Sequence, residues 1–128
     1  MKHCLVLINL LLVVLCSSAS VYALEIAEAS ITTAVVEREP VDSVVAFPVQ
    51  SGKLYCFARV IGAQEPTVVY HLWYREGQLM SRVELPVKSS SWRTWSVKNL
   101  LEDLPGDWRV EIQDASGQLL QTLTFQLR

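Results

Sequence analysis

Short alternating runs constrain this chain more than any other feature. Trp108, Val110 and Ile112 alternate with Arg109, Glu111 and Gln113. Leu119, Leu123, Phe125 and Leu127 fall on one parity, and Thr122, Thr124 and Gln126 on the other. Leu79, Val83, Leu85 and Val87 oppose Met80, Arg82 and Glu84 in the same way. A period of two places one face of a strand on a core and the other in water. No long amphipathic helical pattern competes with it. The runs recur at spacings near ten and are separated by turn residues, as in antiparallel sandwiches and barrels.

The expected strands run Ala29 to Glu37, Val44 to Phe47, Lys53 to Ile61, Thr67 to Arg75, Gln78 to Val87, Trp92 to Val97, Trp108 to Gln113 and Leu119 to Leu127. Pro40, Pro48 and Pro66 sit at their ends, where a residue with no N–H to donate is tolerated. Glu76-Gly77 predicts a tight hairpin turn. Ser51-Gly52, Pro105-Gly106-Asp107 and Asp114-Ala115-Ser116-Gly117 are further turns. Asn99 to Leu104 predicts one helical turn with Asn99 as its N-cap. The fold class is therefore all-β, an antiparallel β-sandwich of immunoglobulin-like appearance with seven to nine strands. Within Thr67 to Arg75 both faces are partly apolar. Trp73 is expected inward with Val69 and His71, and Tyr70 and Tyr74 outward, because a tyrosine can keep its hydroxyl in water.

The first residues are of a different kind. Lys2 and His3 precede an apolar stretch from Cys4 to Leu15, interrupted by Asn9, and then Ser17-Ser18-Ala19-Ser20 and Val21-Tyr22-Ala23. That order is the pattern of a secretory signal, with cleavage expected after Ala23. The domain is then residues 24–128, periplasmic or secreted, and membrane-anchored if the signal is retained. The apolar run is shorter than the roughly 20 residues a membrane-spanning helix needs. Cys16 raises lipidation as an alternative, although Leu15 is a poor residue before a lipidated cysteine.

Loss of the leader takes the net charge from −2 to −3 and leaves Cys56 as the one cysteine and His71 as the one histidine. No intrachain disulfide is then available, so stability rests on the core. A His–Cys zinc cluster is excluded, and neither an Asp-rich calcium loop nor a Gly-rich phosphate loop is present. No cofactor is expected. An acidic chain without a basic tract argues against nucleic acid as a partner.

Six residues stand out as a binding set: Trp92, Arg93, Trp95 and Lys98 in one short segment, with His71 and Tyr74 beyond it. Alternation divides Trp92 and Thr94 from Arg93, Trp95 and Val97. Exposed Trp beside Arg suits protein recognition, because both give large contact area and directional bonds. The plainer expectation is that Trp95 covers an open end of the sandwich while Arg93 pairs with Glu84 or Glu111 across strands. Trp95, Trp92 or Tyr74 as a sugar-stacking platform is a second reading. A Cys56–His71 nucleophile pair is a third, set against the ordinary expectation of a packed thiol and a hydrogen-bonded core histidine. Arg38-Glu39-Pro40 reads as a solvated strand end, with a docking loop as the alternative. Envelope proteins and glycans are the partner classes these readings imply. The expected function is a non-enzymatic interaction module.

Arg38-Glu39-Pro40, Phe47-Pro48, Leu54-Tyr55-Cys56-Phe57, His71-Leu72-Trp73-Tyr74, Trp92-Arg93-Thr94-Trp95-Ser96-Val97-Lys98 and Gly106-Asp107-Trp108-Arg109-Val110-Glu111 occur in this order. Together they resemble the bacterial family called domain of unknown function twenty-nine fourteen, from about Ile31 to the C-terminus. The resemblance implies an exported or membrane-tethered bacterial module and supplies no catalytic residues. The hairpin around Trp108 also resembles the late strands of immunoglobulin-like domains, without their second cysteine.

Overall fold

The computed structural model describes residues 23–48, 52–100 and 104–128. Residues 1–22 of the proposed signal peptide, Cys16 among them, and residues 101–103 of the expected 99–104 helical turn lie outside the described residues. Asn99 itself ends a strand.

Ten strands follow in order: β1 (Glu25–Thr32), β2 (Val35–Val36), β3 (Glu39–Pro40), β4 (Ala46–Phe47), β5 (Lys53–Ile61), β6 (Thr67–Arg75), β7 (Gln78–Val87), β8 (Ser91–Asn99), β9 (Gly106–Asp114) and β10 (Leu119–Leu127). They form a three-stranded sheet, β1-β5-β8, and a five-stranded sheet, β4-β10-β9-β6-β7, with β2 and β3 as a separate ribbon. The pairing is antiparallel except between β4 and β10. The all-β sandwich is as the alternation requires. The count exceeds seven to nine because β2, β3 and β4 are pieces of two residues each. No helix among the described residues is long and apolar enough to cross a membrane.

The inner faces bury Leu54, Cys56, Ala58 and Val60 from β5 against Val69, Trp73, Trp108, Val110, Ile112, Phe125 and Leu127 from the larger sheet. Phe125 lies between two tryptophans. It meets Trp73 edge-on at 6.1 Å and stacks on Trp108 at 5.9 Å, both favourable aromatic arrangements. Trp108 Nε1 donates to Leu104 O at 3.0 Å, so its one polar atom is satisfied. Trp73 faces inward and Tyr74 outward, as expected.

Three expectations needed correction. The first apolar run breaks at Thr33-Ala34, so β1 ends at Thr32 and β2 belongs to the ribbon. Leu79 is exposed, and Met80 packs on the core in its place. Leu119 is exposed, and Leu120 packs on the core. The last two have one cause. A register shift on β7 between the partners of Trp73 and Tyr74, and another on β10 between Leu119 and Gln121, each insert a residue and reverse the parity beyond it.

Candidate functional site

The site is built on β8, an edge strand. Its nine residues pair with β5 in unbroken register from Ser91↔Ile61 to Asn99↔Lys53. Thr94 and Ser96 are buried toward the other sheet, while Trp95 and Val97, 37% and 46% exposed, face outward. The alternation inferred for this segment therefore holds, and it places Arg93 and Trp95 on one surface.

The β2–β3 ribbon joins them. Its turn carries Glu37 and Arg38 at φ 51° and 63°, left-handed conformations that are unfavourable for residues with a Cβ. Asp42 anchors its base: the carboxylate accepts from Thr32 Oγ1 at 2.7 Å, Thr33 N at 2.8 Å and Thr33 Oγ1 at 2.6 Å. The Thr33 hydroxyl bond, followed by the Thr33 amide and the Thr32 hydroxyl, holds Asp42 below the usual carboxylate range. From that base the ribbon reaches β8. Glu39 Oε1 lies 2.8 Å from Arg93 Nη2, and the Arg38 guanidinium sits 5.3 Å from the centre of the Trp92 ring. Phe57, on the outward parity of β5, is nevertheless fully buried.

Arg93 thus pairs with Glu39 rather than with Glu84 or Glu111. Sequence spacing could not reveal this pair, because it joins a strand to a ribbon 54 positions earlier in the numbering. Arg38, Pro86, Lys88, Trp92, Arg93 and Trp95 line a shallow groove of about 380 Å³ along β8. Pro86 and Lys88 carried no signal of their own; they arrive because β7 and β8 lie at the same side of the two sheets.

The other members of the binding set are elsewhere. Lys98 is half-buried on the inward parity of β8. Tyr74 lies on the outer face of the five-stranded sheet, with the Arg109 guanidinium 4.0 Å above its ring. Arg82 covers Tyr70 in the same way at 3.8 Å. His71 is in the core with no exposed surface. Its Nδ1 is 2.6 Å from Ser96 Oγ, which also accepts from Trp73 Nε1 at 3.1 Å. The serine's single proton is then best donated to Nδ1. That assignment puts the histidine proton on Nε2, which has no partner among the described residues. Burial lowers the His71 pKa to about 4. Cys56 is opposite Ser96 in the β5–β8 ladder and is also fully buried, and burial pushes its thiol up. A thiol held protonated and sealed from solvent lacks the character of an activated nucleophile.

A larger groove, about 690 Å³, runs along the far end of the five-stranded sheet. Its polar groups satisfy one another: Gln126 Nε2 donates to Asp107 Oδ1, Arg128 to Gln126 Oε1, and Asp107 N to Glu76 Oε1. Among the described residues no three His, Cys, Asp or Glu converge as metal ligands.

Residues 66–127 match the family model DUF2914, protein of unknown function. The DUF2914 match spans β6 to β10, and so contains β8 and the five-stranded sheet apart from β4. The motifs before Pro66, including the ribbon and Cys56, lie outside it, a shorter span than the motif order suggested. No curated protein matches the chain. Among solved structures, a β-glucosidase from Kluyveromyces marxianus is similar at 12% identity and a TM-score of 0.43, over 82% of this chain and 14% of that one.

Proposed function

We propose that this chain is a non-enzymatic protein-interaction module of the bacterial envelope, exported by its N-terminal segment, with the outer side of β8 as its contact surface. One observation carries this: Trp95 stays exposed on an edge strand whose neighbours, Arg93 and Trp92, are held in place by a strained ribbon turn. Residues in unfavourable backbone conformations persist where surrounding contacts over-determine them, and such positions cluster at functional surfaces. A rigid aromatic beside a positioned arginine is the composition of interaction hot spots. The sugar-stacking alternative is weaker, because the Arg38 guanidinium occupies the Trp92 ring and Tyr74 lies beneath Arg109 on another face.

The test is site-specific photocrosslinking in cells. A photoreactive residue at Val97 is expected to capture a defined protein, with capture lost in Trp95→Ala and Arg93→Ala variants of unchanged melting temperature. A probe at Thr122, on the outer face of the other sheet, is the control. Equal capture from both positions, or capture indifferent to the two variants, removes β8 as the contact surface. Binding to a glycan array in place of protein capture transfers the site to the sugar reading.

A further inference from the structure

We infer that β8 accepts an acidic, extended peptide segment of a partner protein as a fourth strand of the three-stranded sheet. This rests on the interaction reading and specifies how the partner binds. The backbone supplies the first part of the argument. Gly62 N donates to Ser90 O at 3.0 Å and Leu100 N to Gly52 O at 2.7 Å, at the two ends of the β5–β8 ladder. In an antiparallel ladder such mutually bonded pairs recur at every second residue. They therefore fall on Trp92, Thr94, Ser96 and Lys98, and the N–H and C=O groups of Arg93, Trp95 and Val97 point to the open side. Among the described residues no strand pairs there.

The other sheet edges carry devices that discourage strand addition. On β1 the ladder is interrupted between Ile26 and Glu28. The β7 edge has a register shift and contains Pro86. At the opposite end of the large sheet, β4 has two residues. By contrast, β8 is nine residues long, free of proline and unbroken in register.

Charge identifies the occupant. Arg38, Lys88 and Arg93 line the groove, and among the described residues no acidic side chain does. Arg59 lies between Arg93 and Glu28 across the sheet, and Lys98, on the inward parity, does not join the strip. Glu39 and Arg93 compensate each other, so Arg38 and Lys88 carry the net positive charge of the groove lining. This cationic strip belongs to a chain with net charge −2. A second copy docking edge to edge would bring two such strips together, whereas an acidic strand gains from the field. Main-chain bonds would give affinity, and the charges and Trp95 the selectivity, as in other strand-addition complexes.

The experiment uses a fluorescein-labelled ten-residue peptide alternating glutamate and valine, titrated with the protein by fluorescence anisotropy. Saturable binding is expected, at least tenfold weaker when lysine replaces glutamate. Two N-methylated versions, one modified at odd and one at even positions, separate the modes. An added strand turns alternate amides toward β8, so one version is expected to lose binding and the other to keep it. Val97→Pro removes an outward N–H and leaves the β5 ladder intact, and is expected to weaken binding at least tenfold. Absence of binding to wild-type protein, or equal effects of the two methylated sets, overturns strand addition. If crosslinking at Val97 still captures a partner then, the interaction surface stands and the binding mode alone is wrong. A dimer in sedimentation velocity that Val97→Pro dissociates makes the occupant a second copy and overturns the acidic peptide.

Discussion

His71 Nδ1 lies 2.6 Å from Ser96 Oγ, so a histidine of one sheet and a serine of the other form a polar bridge through an otherwise apolar layer. The bridge satisfies one ring nitrogen and leaves Nε2 without a partner among the described residues. Its pKa of about 4 lies below the ordinary 6.5 because the charged ring would be desolvated. The folded state therefore favours the neutral ring. Its contribution is complete above pH 6.5 and is lost as pH falls toward about 4, an effect of about 3 kcal/mol. Denaturant midpoints measured from pH 8 to 4 are expected to fall across that window, and His71→Gln is expected to flatten the curve. An unchanged slope in the variant would assign the acid sensitivity to other groups.

Trp108 supplies the largest single test of the core. It is 2% exposed, stacks on Phe125 and donates to Leu104 O. Trp108→Ala is expected to destabilise by about 3–5 kcal/mol, measured by urea unfolding. Trp95→Ala, at an exposed position, is expected to change stability by less than about 1 kcal/mol.

The Cys56 thiol should report opening of the sandwich. It is free, buried and held protonated. Labelling by a thiol reagent in native buffer is expected to be slow, and to accelerate with urea in parallel with unfolding. Rapid labelling of native protein would show that the thiol is reachable and return the Cys56–His71 pair to consideration. Reducing agent is expected to leave the melting temperature of the monomer unchanged.

Stability and surface function are opposed at the ribbon turn. Replacing Glu37 and Arg38 with Asn-Gly supplies the residues this left-handed turn favours, and is expected to stabilise the domain by about 1 kcal/mol. The same change removes Arg38 from the Trp92 ring and is expected to weaken capture at β8. Asp42→Ala removes the carboxylate that ties Thr32 and Thr33 to the ribbon base, and is expected to speed tryptic cleavage after Arg38 several-fold.

Much of the fold was legible because the period-2 signal is local. β5, β6, β7 and β10 have the limits that their turn and proline signals imply. In Thr67 to Arg75 alternation left both faces partly apolar, and Val69, His71 and Trp73 were set inward because the tyrosines on the other face can keep their hydroxyls in water. Leu79 and Leu119 were misplaced because a bulge changes parity without changing composition: either neighbour of an inserted residue is apolar enough to face the core, and the register with the partner strand decides. The Arg93–Trp95 surface was visible in the sequence, but its partners Arg38, Glu39 and Lys88 were not, since nothing local to β8 indicates which distant segment will fold over it.

The amino-acid order alone thus determined an all-β chain with strands near their observed limits, and Cys56 as the one cysteine after residue 16. Alternation and turn chemistry act over a few neighbouring residues and need no partner to be read. Tertiary structure decided which edge stays open, which charge meets which, and that His71 is sealed away while Trp95 is not. Those outcomes depend on how two sheets and a ribbon stack, and stacking is set by contacts between residues far apart in the chain.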